Sequence, residues 1–285
     1  MTLDLWFSEK HDDKIAISLK VKETLHHEVS DFQIIDVIDT EYYGKMLLLD
    51  GMVMTTEKDE FIYHEMISHI PMLSHSNPVD VLVIGGGDGG TVREVLKHPS
   101  VKRVVLCEID EKVILASKKY LPSIASKMDD PRVKIEIRDG VAFIAEHKNS
   151  FDVILIDSTD PLGPGVGLFT EEFYTNVKQA LKPGGIMTNQ SESPIADKKE
   201  IGLIYPLLRK VFNIVKPYVA PIPTYPSGYW SWAYCSESVE PLSNINENIA
   251  SEIEKTTKYY NKEIHRAAFA LPNFVKELTG EKVSC

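Results

Sequence analysis

The segment VDVLVIGGGDGG, residues 79–90, joins a short apolar run directly to a glycine-rich loop. Such a run is typical of a buried strand that turns tightly into a helix. Similar strands are predicted downstream at residues 101–109, 133–137, 151–156 and 185–189. Amphipathic helices are predicted between them, and this alternation indicates parallel βαβ units. The sequence therefore predicts an α/β protein with a doubly wound, Rossmann-like sheet.

The region upstream of this segment has a different pattern. Residues 15–54 alternate apolar and polar positions between turn signals, which predicts a small antiparallel β domain. Residues 57–73 then space their apolar side chains as a helix does, and Pro71 is expected to help end that helix. We therefore predict two domains, an N-terminal β-strand domain at residues 1–56 and a Rossmann-like catalytic domain at residues 57–285.

Composition limits the class of protein. The 285-residue chain has 43% hydrophobic and 26% charged residues and a formal net charge of −11, which suits a folded protein and disfavours a nucleic-acid binder. No apolar run approaches the roughly 20 residues that span a bilayer, and the first residues lack a secretion signal. Cys107, Cys235 and Cys285 have no metal or redox spacing. We expect a cytoplasmic protein that binds cations, without nucleic-acid or membrane partners.

Carboxylates follow four of the predicted parallel strands, at the edge where doubly wound sheets bind ligands. They are Asp88, Glu108, Asp139 and the pair Asp157 and Asp160. Glu108 lies 21 residues past Gly87, where a ribose-binding acid belongs. Asp139 is suited to accept from an adenine amine, while Gly140 lets the backbone approach the ring. Each acid alone is equally consistent with a helix cap, but together they outline an adenosine site.

Asp88 occupies the turn where a dinucleotide would place its pyrophosphate. A carboxylate there repels phosphate and attracts an amine or a sulfonium. The loop that contains Gly85 and Gly86 is therefore predicted to hold a positively charged nucleoside. The alternative is that Asp88 only caps the following helix.

Asp157 and Asp160 are three residues apart and can face one cavity. The glycine- and proline-rich segment behind them is predicted to be a mobile lid that excludes water. Its members are Pro161, Gly163, Pro164 and Gly165. An ordinary surface loop is the alternative.

Two other patterns fail as catalytic motifs. His64-Glu65 is followed by His69 one residue later than a zinc-binding H-E-x-x-H requires, which turns the second imidazole about 140° around the helix. Ser227 lacks the G-x-S-x-G nucleophile elbow. We therefore predict neither a metal site nor a hydrolase.

As a set, the motifs GGGDGG (85–90), CEID (107–110), DSTDP (157–161) and IPTYPSG (222–228) carry a likeness to a known family. The chain resembles the polyamine aminopropyltransferases, most closely the members that form spermidine, from about Trp6 to at least Cys235. The resemblance implies a small N-terminal β domain followed by a methyltransferase-like Rossmann domain. It also implies a homodimer or homotetramer.

The resemblance further implies transfer of an aminopropyl group from decarboxylated S-adenosylmethionine to putrescine, giving spermidine and methylthioadenosine. The donor is then a co-substrate, and no resident cofactor is expected. By resemblance, the donor site contains Gln33, Gly85, Gly86, Asp88, Glu108, Asp139 and Gly140. The acceptor groove contains Trp6, Tyr63, His64, Asp157, Asp160, Gln190, Tyr225 and Trp230. The family's base corresponds to Asp157, and Tyr63 is expected to assist it.

The proposed chemistry is sound on elementary grounds, because a primary amine with a pKa near 10.4, about that of lysine, must lose a proton before it attacks carbon. Three rival readings stay open: an S-adenosylmethionine-dependent methyltransferase, a nicotinamide dehydrogenase and a non-catalytic polyamine-binding protein. Asp88 argues against the first two, since it would face a carboxylate or a pyrophosphate. Within the aminopropyltransferase reading, the sequence does not choose among putrescine, cadaverine, agmatine and spermidine.

Overall fold

A computed structural model describes residues 4–11, 15–159, 163–243 and 245–282. The first part of the chain forms an antiparallel sheet in which each strand pairs with the next along the sequence. Its strands are β1 (Leu5–Lys10), β2 (Ala16–Val29), β3 (Ile34–Thr40), β4 (Gly44–Leu49) and β5 (Met52–Thr56). The predicted antiparallel β domain is confirmed, with β1 as an additional edge strand before residue 15.

The rest of the chain builds a seven-stranded sheet. Its strands are β6 (Asp80–Gly85), β7 (Arg103–Glu108), β8 (Val133–Ile137), β9 (Phe151–Asp157), β10 (Leu181–Gln190), β11 (Ile214–Pro221) and β12 (Tyr229–Ser236). The spatial order is β11-β12-β10-β9-β6-β7-β8, with β12 antiparallel to both of its neighbours and the other pairs parallel. The predicted α/β, Rossmann-like class is therefore confirmed.

Nine α-helices connect and cover these strands in the described part of the chain. They are α1 (Glu60–Ser74), α2 (Gly90–Val95), α3 (Glu111–Tyr120), α4 (Gly140–Ala145), α5 (Glu171–Ala180), α6 (Lys198–Val211), α7 (Glu247–Ile253), α8 (Lys262–Ala267) and α9 (Asn273–Thr279). A 3₁₀ helix, Gly163–Phe169, precedes α5. None of the described helices is both long and apolar enough to cross a membrane.

Helix α1 continues past Pro71 to Ser74, so the prediction that this proline helps to end it is wrong. Every residue from Ile62 to Ser74 is buried, which means that packing holds the helix on both sides of the proline. Burial of this extent outweighs the roughly 3 kcal/mol that an internal proline costs.

The large sheet is covered on both faces, because alternate side chains of a strand point in opposite directions. On β6, Leu82 and Ile84 pack in the core that includes α4, α5 and α6, whereas Val81 and Val83 pack in the core with α2. The smaller sheet packs against α3, through a separate apolar cluster that joins β3 and β4 to that helix. Strands β6 and β9 are neighbours although β7 and β8 lie between them in sequence. Successive strands are therefore added on opposite sides of this point, which is the topological switch point of the sheet. Ligands bind at such switch points.

Candidate active site

A cleft opens at the carboxyl ends of β6 to β9, and the small sheet covers part of it. The empty space inside it, counted together with the solvent at its open mouth, is about 1200 Å³. Most of the residues predicted for the site line this one cleft. They are Gln33, Tyr63, Gly85, Gly86, Asp88, Glu108, Asp139, Gly140, Asp157, Gly165, Gln190, Tyr225 and Trp230.

The glycine-rich loop after β6 forms the floor of the cleft. A Cβ atom on Gly86, whose φ is +69°, would lie 2.7 Å from Asp157 Oδ2, so only glycine fits here. Asp88 follows in this loop, and its Oδ1 accepts a hydrogen bond from the Gly90 N–H at 2.7 Å. Asp88 therefore bonds to the first residue of α2 and also lines the cleft, while the N-cap of this helix is Gly89. The predicted contact of Asp88 with a cationic nucleoside stays a prediction.

Glu108 ends β7 inside the cleft. Its Oε1 accepts the Asp110 N–H at 3.0 Å. Burial raises the pKa of Glu108 to about 7 although this hydrogen bond opposes the rise. A carboxylate that is buried in this way can accept hydrogen bonds from a pair of vicinal hydroxyls.

Asp139 and Gly140 follow β8 at the same edge. Asp139 Oδ1 accepts the Val141 N–H at 2.8 Å, so this acid caps α4 while it lines the cleft. A Cβ on Gly140 would lie 2.5 Å from Ile84 Cγ2. A side chain would therefore not fit at position 140 without a shift of Ile84, and only backbone lines the cleft at this position beside Asp139.

Asp157 ends β9 at the centre of the cleft, and two hydroxyl groups fix its carboxylate. The Tyr63 hydroxyl donates to Oδ1 at 2.8 Å, and the Thr91 hydroxyl donates to Oδ2 at 2.6 Å. Burial and the nearby charge of Asp88 raise the pKa of Asp157, while the charge of His64 and the two hydroxyl groups oppose this rise. The geometry gives an oriented carboxylate that is a stronger base than an exposed aspartate.

Aromatic rings line the cleft beyond Asp157. The ring centroids of Tyr63 and Tyr225 are 5.7 Å apart, and Tyr225 meets Trp230 edge to face at 4.8 Å. Gln190 also lines this end, where its side-chain amide donates to Glu192 Oε1 at 2.9 Å. Apolar faces with few polar groups suit an alkyl chain that carries charge at its ends.

Two predicted residues are not brought to the cleft. Trp6 on β1 is 59% exposed, because it lies on the opposite face of that strand from Glu9. His64 is buried behind Asp88, with its Nε2 at 3.3 Å from Asp88 Oδ2. Neither Trp6 nor His64 is therefore among the residues that line the cleft of the single chain.

The predicted lid is described only in part. Asp160 and Pro161 lie outside the described residues. Gly163 and Pro164 begin the 3₁₀ helix, and Gly165 lines the cleft. The proposed mobility of this segment stays a prediction.

Two residues of the site were not identified from the sequence. Glu9 of β1 lines the cleft with a buried carboxylate that accepts the Val53 N–H at 3.0 Å. Thr91 holds Asp157 from the first turn of α2. Neither follows a strand of the parallel sheet, because Glu9 lies in an antiparallel strand and Thr91 in a helix, so the rule that located Glu108, Asp139 and Asp157 could not find them.

His64 and His69 have different direct partners, and Arg93 bridges them by donating to both Glu60 and Glu94. His64 contacts Glu60 and Asp88, whereas His69 Nε2 is 3.0 Å from Glu94 Oε2. Within the described ranges, no three His, Cys, Asp or Glu side chains are grouped so that they could hold a metal ion.

Two family models and several curated proteins match this sequence. Residues 60–247 match the family model described as spermine/spermidine synthase domain, and residues 5–57 match the one described as spermidine synthase tetramerisation domain. The chain is 52% identical over 279 residues to the polyamine aminopropyltransferase of Thermoanaerobacter pseudethanolicus, covering 98% of this chain and 100% of the relative. It is 50% identical over 275 residues to that of Bacillus subtilis, covering 96% of this chain and 99% of the relative.

Solved structures agree with these sequence matches. A spermidine synthase crystallised with the transition-state analogue AdoDATO superposes with a TM-score of 0.95 at 46% identity, covering 97% of this chain and 95% of the other. The spermidine synthase of Thermotoga maritima gives a TM-score of 0.93 at 45% identity, covering 97% of this chain and 94% of the other.

Proposed function

The chain belongs to the spermine/spermidine synthase family of polyamine aminopropyltransferases, and we propose on that premise that it transfers the aminopropyl group of decarboxylated S-adenosylmethionine to putrescine. One observation carries the proposal. Asp88, Glu108 and Asp157, which lie far apart in sequence, line a single cleft at the switch point of the sheet. The proposed reaction needs one carboxylate to bind the donor ammonium, one to bind the ribose and one to act as the base. Asp88, Glu108 and Asp157 would supply these in one place.

For the donor, we propose that Glu108 accepts hydrogen bonds from both ribose hydroxyls and that Asp139 accepts from the adenine amine. Gln33 approaches from the small sheet, and Asp88 attracts the aminopropyl ammonium. These contacts would hold the sulfonium carbon near Asp157. In this proposal the donor is a co-substrate, and the chain's own residues do the rest of the chemistry without a resident cofactor.

The reaction follows from the position of Asp157. The protonated acceptor amine gives a proton to this carboxylate, and the free nitrogen then attacks the methylene carbon next to sulfur. The new C–N bond forms as the C–S bond breaks, and the electron pair of that bond stays on sulfur. The product amine keeps the positive charge. The leaving methylthioadenosine is neutral and needs no proton.

For the acceptor, we propose an extended diamine whose methylene groups lie against Tyr225 and Trp230, at ~0.8 kcal/mol per buried CH₂. Its far ammonium needs an anion. Asp160, which the resemblance places in the acceptor groove, is one candidate for this role, and the buried carboxylate of Glu9, which lines the cleft, is another. Trp230, which is buried, limits the space for an acceptor longer than four carbons.

We further propose that the chain forms an oligomer through the small sheet. The family model that matches residues 5–57 is described as a tetramerisation domain, which supports this proposal. Large apolar side chains of the same region are exposed in the single chain. They include Leu5, Trp6, Val29, Phe32 and Ile34.

Turnover assays with defined amines test the proposed reaction. Asp157→Asn should lower turnover with putrescine at least ~10²-fold, because the acceptor then lacks its base. The variant should still bind methylthioadenosine, which shows that the fold and the nucleoside site survive. Wild-type turnover in Asp157→Asn would remove this residue from the mechanism.

The same assay with the wild-type enzyme tests the acceptor. Specificity constants should rank putrescine above cadaverine, agmatine and spermidine, and Trp230→Ala should raise the relative rate with spermidine. If agmatine or spermidine is preferred by the wild type, the proposed acceptor is wrong although aminopropyl transfer itself is retained.

A further inference from the structure

His64 is a buried imidazole whose two nitrogens both face carboxylates. Nδ1 is 2.5 Å from Glu60 Oε2, and Nε2 is 3.3 Å from Asp88 Oδ2. Ionised carboxylates only accept hydrogen bonds, and a neutral imidazole has a single N–H to donate. Both contacts are satisfied together only when His64 is the doubly protonated cation.

The surroundings of His64 form a row of alternating charge that ends in the cleft. Arg93 donates to Glu60 Oε2 at 2.8 Å, Glu60 contacts His64, and His64 contacts Asp88. Asp88 is the member that lines the cleft. The row depends on Gly90, because a Cβ there would lie 2.3 Å from His64 Cε1.

The ionisable groups around His64 come from three elements. They are Glu60 and Tyr63 on α1, Asp88 and Arg93 in and after the loop that follows β6, and Asp157 at the end of β9. Burial alone would lower the pKa of His64, but Asp88 and Glu60 raise it well above its ordinary value. His64 in turn lowers the pKa of Asp88 against the effect of burial.

We propose that His64 is a positioning residue that assigns different roles to Asp88 and Asp157, two of the carboxylates that line the cleft. Its positive charge keeps Asp88 ionised as the anchor for the donor ammonium, so that Asp157 alone exchanges a proton during turnover. The inference rests on the proposed function, in which Asp88 binds the donor and Asp157 is the base. Without a cation nearby, two carboxylates in one buried site tend to share a proton, and neither role is then secure.

Binding measurements on His64→Gln test this inference, since glutamine keeps hydrogen-bonding groups but removes the charge. The readout is the ratio of two dissociation constants, for methylthioadenosine and for the decarboxylated donor, measured without acceptor between pH 6 and pH 8.5. The donor carries an ammonium and a sulfonium and methylthioadenosine carries neither, so the ratio reports the charge of the carboxylates that face the donor. The same ratio measured in Asp88→Asn gives the part that does not come from Asp88. In the wild type this ratio should stay nearly constant with pH.

In His64→Gln the ratio should fall at least about fivefold between pH 8.5 and pH 6, because Asp88 now takes up a proton in that range. At pH 8.5 it should equal or exceed the wild-type ratio, since a neighbouring positive charge has been removed. Loss of structure alone would weaken both ligands at every pH and would not give this pH dependence.

Glu60→Gln is a second variant. It removes the carboxylate at His64 Nδ1 and so makes the cationic form of His64 less stable. The ratio should fall at low pH in this variant too, but less than in His64→Gln. His69→Gln is the matched control, because His69 is an equally buried imidazole of α1 whose direct partners are Glu94 and His98. It meets the row only through Glu94, which accepts from Arg93 at 2.8 Å, and it does not touch Asp88. It should behave as the wild type does. A constant ratio in both His64→Gln and Glu60→Gln would overturn the inference. Since no turnover is measured, this result is independent of whether Asp157 proves to be the base.

Discussion

Glu108 shows how burial makes a single residue a ligand whose affinity depends on pH. Burial raises the pKa of this carboxyl to about 7, so the free site holds a proton on Glu108 in about half of the molecules at pH 7. Two ribose hydroxyls need the ionised form as their acceptor. Binding of the nucleoside should therefore lower the pKa of Glu108 and release its proton.

We predict that methylthioadenosine binding releases most of one proton at pH 6.5 and almost none at pH 8.5. Affinity should fall by up to about tenfold per pH unit below pH 7. Calorimetry in two buffers with different ionisation enthalpies measures the released proton. Glu108→Gln should bind more weakly, with an affinity that no longer depends on pH in this range. Proton release that is unchanged in Glu108→Gln would assign the effect to another group.

The residues that sequence located correctly are those whose position follows from one local rule. Glu108, Asp139 and Asp157 end parallel strands, and the structure brings all three to the cleft. His64 is different, because its sequence neighbours do not reveal that Asp88 and Glu60 lie on either side of its ring. A role that depends on a tertiary contact could not be read from the motif.

At the scale of elements, the buried strands of the large sheet were predictable from sequence, whereas the edge strand β1 and the end of helix α1 were not. Strand β6 is a continuous apolar run, because helices cover both faces of its sheet. Strand β1 is a six-residue edge strand with mostly exposed side chains, so it gives no such signal. Helix α1 continues through Pro71 because this part of the helix is buried on all sides. The sequence alone does not show that burial.

Helix α3 links the two sheets through its N-cap residue, Asp110. Asp110 caps this helix by accepting the Lys112 N–H, and its Oδ2 accepts from Ser30 Oγ at 2.6 Å and from Gln33 Nε2 at 3.1 Å. Gln33 belongs to the small sheet side of the cleft. Asp110 thereby orients a proposed donor contact from the opposite domain.

We predict that Asp110→Asn weakens methylthioadenosine binding about three- to tenfold without unfolding α3, because asparagine is an equally good helix cap. Gln33→Ala should add little further loss in the Asp110→Asn background, since both changes remove the same contact. Binding constants for the two single variants and the double variant measure this coupling.

The control for this cycle is Lys112→Met. Lys112 also joins α3 to the small sheet, through Glu28 Oε1 at 2.9 Å and the Val29 carbonyl oxygen at 3.2 Å, but it does not touch Gln33. Its effect should add to that of Gln33→Ala. If the effects of Asp110→Asn and Gln33→Ala on binding are also additive, Asp110 holds α3 against the small sheet but does not orient Gln33.

At the scale of the whole molecule, the acceptor end of the cleft is where sequence alone was least informative. This end is assembled from Glu9 of β1, Gln190 of β10, and Tyr225 and Trp230 near β12, which the chain brings together over its whole length. Apart from Gln33, the proposed donor end comes from successive βα connections of the large sheet, and a single repeating rule therefore located those residues. Assembly from distant segments explains why Glu9 was missed and Trp6 was misplaced.

The exposed position of Trp6 suggests a role outside the single chain. Trp6 and Leu5 are 59% and 56% exposed, and they lie on β1, whose outer edge has no pairing strand among the described residues. An apolar edge strand is a surface that proteins normally cover. In the proposed oligomer a second chain would cover it.

We predict that the double substitution Leu5→Glu and Trp6→Glu shifts the particle mass toward the 32.1 kDa of one chain. The added charges would have to be buried without partners in the interface, at a cost that exceeds what the apolar contacts supply. Light scattering coupled to size-exclusion chromatography gives the mass. Leu203→Glu is the matched control, because Leu203 is 61% exposed on α6, far along the chain from the small sheet. A wild type that already has the mass of one chain, or a double variant that keeps the oligomeric mass, would show that β1 is not the contact.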